Sequence, residues 1–151
     1  MFKPSREQAR QLFFDSWQKY RQQKILSGIE ALAIEVILLH PEYHNVLENA
    51  DRHLDKDYLP EDGNINPFLH MSMHLAIKEQ LSINQPIGIC ERFARFQKNT
   101  GSEHAAAHQV MECLAEMIWQ AHRNQTIPEA DIYFKCLDRQ LDVINYKRDK
   151  H

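Results

Sequence analysis

The chain has 151 residues, with 18 basic against 21 acidic side chains and a formal net charge of −3. That length is enough to bury a core without disulfides or an obligatory structural metal, and one domain over residues 1–151 is the expectation. The mild negative charge without a long basic stripe excludes a backbone-binding nucleic-acid protein, and the apolar run Leu32 to Leu39 is interrupted by Glu35 and too short to span a bilayer. The opening residues also lack the apolar stretch of a secretory leader.

Strand-forming residues are scarce, with Val four times and Thr twice, and only four glycines punctuate the chain. Ala, Leu, Glu, Gln, Lys and Arg fill the periodic segments, so the fold class is all-α: a compact helical bundle of about five to seven helices, two of them long core helices. Cys90, Cys113 and Cys136 are odd in number and widely spaced, with neither a disulfide framework nor a Cys-x-x-Cys motif. A soluble protein of a reducing, cytoplasmic compartment is the reading this supports.

The first helix is predicted from about Ser5 to Gln23, capped by Ser5, with Leu12, Phe13, Trp17 and Tyr20 along one face. A second opens on the capping box Ser27-Gly-Ile-Glu30 and stops at Leu39-His40-Pro41. On that helix Glu35 projects between Leu38 and Leu39, near Leu32, with no wide polar face available. Burial as a ligand, burial as the partner of a core cation, and an exposed edge are its three readings. Pro41 to Glu48 reads as a short helix, and Asn49 to Asn66 as a long irregular connection. A long helix follows from the Asn66 cap and Pro67 to about Asn84, ended by Pro86. Ile87 to Lys98 is a short helix. Thr100-Gly-Ser-Glu103 is read as a second capping box opening a helix to about His122. Pro128 starts the last helix, which precedes a charged tail, Lys147 to His151, expected to fray.

Nine histidines are many for this length, and four of them form two equal spacings, His70-Met-Ser-Met-His74 and His104-Ala-Ala-Ala-His108. The i,i+4 spacing brings two imidazoles to one helix face, close enough to chelate one ion. His70 and His74 share a side with Ile77 and Leu81, whereas His104 and His108 border a stripe of Ala107, Met111, Leu114 and Ile118, with Glu112 next along that edge. Each pair begins near a predicted helix N-terminus, where the dipole disfavours imidazolium and so suits either ligation or a neutral core histidine. A return helix at Ile87 to Lys98 would bring both pairs to similar height, letting four imidazoles converge.

The candidate metal ligands are therefore His70, His74, His104 and His108, with Glu35 or Glu112 as carboxylate partners and a Cys113 thiolate as a weaker addition. The cofactor implied is a divalent transition metal, zinc or iron before nickel or copper. His40 and His44 flank a helix break and are expected in capping or surface contacts, with support of a metal ligand as the alternative. Trp17, Trp119 and the phenylalanines are assigned to the core. No His-Glu-x-x-His, phosphate loop, Rossmann fingerprint or Glu-x-x-His occurs, which argues against zincins, nucleotide sites and carboxylate-bridged di-iron bundles. The competing function is a non-enzymatic interaction or scaffold domain, homodimeric or bound to another protein, whose histidines make internal hydrogen bonds.

The opening MFKPSREQAR, the segment EVILLHPEYH, the block NPFLHMSMHLAIKEQLSINQP and the later HQVMECLAEMIWQAHR together resemble DUF1841, a bacterial family of unknown function. The resemblance covers most of the chain and implies a bacterial, cytoplasmic setting. It implies no activity.

Overall fold

In a computed structural model of the chain, the described residues are 6–54, 56, 58 and 66–149. They form eight α-helices and one 3-10 turn, with no strand among them: α1 Arg6–Arg21, α2 Gly28–Leu38, the turn Pro41–Tyr43, α3 His44–Leu47, α4 Ala50–His53, α5 Pro67–Ile83, α6 Ile89–Thr100, α7 Glu103–Asn124 and α8 Ala130–Asp149. The all-α expectation holds, and the helix count exceeds it because the stretch after Asn49 contains α4. Ser5 as the cap of α1 and the end of the charged tail lie outside the described residues, although α8 persists through Lys147 to Asp149. No described helix is long and apolar enough to cross a membrane. Two compact units divide the chain, Met1–Glu79 and Gln80–His151, with α5 running from the first into the second.

In the first unit α2 begins as its sequence dictates. Ser27 accepts from the Glu30 amide while the Glu30 carboxylate accepts from the Ser27 amide, satisfying two N-terminal donors reciprocally. The same carboxylate receives Lys19 Nζ at 2.7 Å, so the cap also ties α2 to α1. Phe13, Phe14 and Trp17 of α1 pack with Ala33, Ile34, Val36 and Ile37 of α2, Leu47 of α3, and Phe68, Met71 and Leu75 of α5.

The connection after α4 is fastened from below. Arg10 is only 2% exposed. Its Nη1 donates to the carbonyls of His53, Leu54 and Lys56 at 3.1, 3.0 and 2.7 Å, and its guanidinium lies 4.8 Å from the Phe68 ring centroid. One side chain thus gathers carbonyls at and beyond the end of α4 and packs on the first turn of α5.

In the second unit α6, α7 and α8 pack pairwise. Gly101 closes α6 with φ +80°, and Ser102 caps α7 by accepting from the Ala105 amide. The predicted cap was Thr100. It ends α6 instead, and its hydroxyl donates to the Ser102 carbonyl at 2.9 Å, because the left-handed glycine directs the chain so that Ser102 meets the first free amides of α7. The buried stripe of α7 contains Val110, Cys113, Leu114, Met117 and Ala121. Ile118 and Trp119 lie off it at 47% and 53% exposure, which corrects their assignment to the core. In α8, Tyr133 and Leu137 are fully buried, and the Tyr133 hydroxyl donates to Gln80 Oε1 at 2.8 Å.

The cysteines require a second correction: Cys113 of α7 and Cys136 of α8 form a disulfide, whereas Cys90 is free. Their separation of 23 residues carries no signal for pairing. It is the packing of α7 on α8 that brings their Cα atoms to 5.5 Å, within bridging distance. Cys113 is therefore no thiolate ligand, and the expectation of reduced thiols loses its basis.

Candidate metal centre

The first unit assembles three imidazoles. α5 starts where the sequence places it, with Asn66 Oδ1 accepting from the amides of Phe68 and Leu69 at 3.0 and 3.2 Å. This sets His70 and His74 on successive turns, with ring centroids 4.8 Å apart. His74 is buried and His70 half-buried. Against them stands His40, just past the end of α2, its ring centroid 4.9 Å from that of His70 and 4.6 Å from that of His74.

His40 was expected in a capping or surface contact. It does make a cap contact, but it is 2% exposed and belongs to the cluster. A signal for this was present in the sequence, because Ala33, Ile37 and His40 continue one helical face at spacings of four and three beyond the visible helix end.

His40 Nδ1 lies 2.8 Å from the Val36 carbonyl oxygen. A carbonyl only accepts, so the ring proton is on Nδ1 and the lone pair of the neutral ring is on Nε2. This carbonyl tether, which fixes ring orientation and tautomer, is the usual outer partner of a metal-ligating histidine. His44 uses the neighbouring carbonyl, with Nε2 2.9 Å from the Ile37 oxygen, and its ring packs 4.4 Å from Trp17. The two side chains thereby add a second contact to carbonyls of the last turn of α2 that already accept from the Leu39 and His40 amides. Tyr43 stacks on His40 at 5.4 Å and meets His70 edge-on at 6.1 Å. Burial first, and Glu42 second, push the Tyr43 hydroxyl above its ordinary value, so it remains a neutral wall of the cluster.

The second unit carries the other pair. Ser102 places His104 in the first turn of α7, and His104 and His108 have ring centroids 4.3 Å apart. His104 is half-buried and His108 exposed.

The two carboxylates lie elsewhere in their units. Glu35 is exposed and paired with Lys78 Nζ at 3.2 Å, which decides for the edge among its three readings. The projection beside Leu38 and Leu39 was sound, but that face turns outward, with those leucines 46% and 44% exposed. Glu112 is exposed and accepts from Gln140 at 3.4 Å, along a groove between α7 and α8.

The family model described as a domain of unknown function, DUF1841, matches residues 5–139, most of the chain. The chain belongs to the DUF1841 family. No curated protein and no solved structure matches it. In this DUF1841 chain the matched span includes both histidine pairs, His40 and the helices that carry them.

Proposed function

We propose that the protein binds a divalent transition-metal ion at the imidazole cluster of the first unit, through one ring nitrogen each from His40, His70 and His74. The observation that carries the reading is His40: a buried imidazole, oriented by a backbone carbonyl, packed against a second buried imidazole at an i,i+4 pair. Buried and half-buried imidazoles are costly to gather for packing alone and are a suitable donor set for zinc or iron. His104 and His108 of the second unit offer a separate i,i+4 pair. Glu35 and Glu112 are left out of the proposed shell, since each has another partner. The reading is metal binding, and no reaction is assigned to the site.

Tag-free protein reconstituted separately with zinc, iron, nickel and copper should retain about one ion per chain with one of them. His40→Ala and His74→Ala should each lower metal content and the melting temperature of loaded protein, and the double variant should cost little more than either single one. Metal-free protein serves as the control: the rise in melting temperature on loading should shrink in each single variant and shrink little further in the double one. Additive losses in the loaded state would refute one shared ion. Absence of stoichiometric metal with all four would refute the reading and leave the interaction domain as the better account.

A further inference from the structure

We propose that Cys113–Cys136 is a reversible thiol–disulfide exchange site, at which a low-molecular-weight thiol attacks Cys136 and unfastens α7 from α8. Two observations carry this. The bond joins two helices already packed on each other, so helix packing can hold both thiols in place for reclosure. Its two cysteines also differ in exposure. Cys113 is 0% exposed, whereas Cys136 is half-buried and lines an open groove of about 530 Å³.

Attack is therefore directed to one sulfur. The groove wall next to Cys136 carries Lys135 and Arg139, which favour an approaching thiolate and the thiolate that Cys136 becomes. Glu112 and Glu116 line the same groove from α7, and the amides of Gln140 and Gln120 donate to them at 3.4 and 2.7 Å. The groove is large enough for a tripeptide thiol of the glutathione class.

The chemistry balances as an ordinary two-step exchange. The incoming thiolate forms a bond to Cys136 Sγ and breaks the Cys113–Cys136 bond, whose electron pair leaves on Cys113 Sγ and takes up a proton. A second thiolate attacks the incoming thiol's own sulfur in the mixed disulfide and releases the Cys136 thiolate. Two small thiols are oxidised to one small disulfide, and the protein disulfide is reduced to two thiols. Oxidation of the protein is the reverse.

The test equilibrates the full chain in glutathione buffers from fully oxidised to fully reduced, quenches in acid, and assigns alkylated and glutathionylated cysteines by peptide mass. The expected result is a single two-electron transition, with the intermediate carrying glutathione on Cys136 and a free Cys113. Reduction should lower the melting temperature by roughly 10 °C, the scale for opening a loop of this length in a chain of this size. Cys113→Ser should melt like reduced wild type and be insensitive to reductant. Free thiols throughout the oxidised range, glutathione on Cys113, or a bond that survives the most reducing buffer would each overturn the proposal. The titration needs only wild type, so a poorly folding variant does not remove the test.

Discussion

Replacing Arg10 with Met removes a buried cation while keeping most of its apolar stem. Arg10 Nη1 serves three carbonyls, those of His53, Leu54 and Lys56, and the side chain is 2% exposed. Charge-assisted hydrogen bonds are worth ~1.5–3 kcal/mol each to a folded protein, but the three share one nitrogen and water can reach part of the opened connection, so they do not add in full. The contact with the Phe68 ring contributes ~1 kcal/mol more, part of which Met retains. A loss of about 3 kcal/mol is expected, equivalent to a melting temperature lower by roughly 6–12 °C for a chain of this length. Urea denaturation of metal-free wild type, Arg10→Met and Arg10→Lys measures it, at an unchanged dependence on urea. Arg10→Lys should recover less than half of the loss, because an ammonium on a flexible stem cannot reproduce the planar fork. Metal affinity should weaken in both variants, since Arg10 packs on the first turn of the helix that carries His70 and His74. A loss below ~1 kcal/mol in Arg10→Met, or full recovery by Arg10→Lys, would refute the role assigned to the fork.

The Glu30 carboxyl is held below its ordinary value, first by the hydrogen bond from Lys19 and then by the Ser27 amide, so its stabilising effect is complete above about pH 4.5 and is lost as pH falls through the lowered folded-state value. Urea midpoints measured from pH 6 to pH 2 should fall less steeply in Glu30→Gln than in wild type; parallel curves would contradict the assignment. Gly88→Ala should destabilise more than Gly101→Ala: both backbones have positive φ, but an added Cβ at Gly88 would stand 2.6 Å from Arg92 Nη1 and displace a guanidinium paired with Asp138, whereas it meets nothing within 4 Å at Gly101. About 1 kcal/mol is expected at Gly101 from backbone strain alone, and thermal melts showing equal losses would sink the distinction. Tyr133→Phe should cost ~1–3 kcal/mol by leaving Gln80 Oε1 without its buried donor, and a neutral result in urea would show that water or another group replaces it.

Where the physics is local, the sequence alone determined the outcome. The Ser27–Glu30 box, the Asn66 cap with Pro67 behind it, and the i,i+4 spacing of both histidine pairs act within one or two helical turns, and each stands where its residues place it. The family assignment was equally legible, because it rests on residue order. Questions of which surface faces what were decided only by tertiary structure. Periodicity placed Glu35 among leucines but could not say that those leucines look outward, and of the stripe it drew on α7 Ala107, Met111 and Leu114 are buried while Ile118, like Trp119, is exposed. His40 joined His70 and His74 across a helix break and about thirty residues of chain, and Cys113 met Cys136 across 23 residues. Such contacts arise from the packing of separate helices, whose sequence distance carries no information about their distance in space.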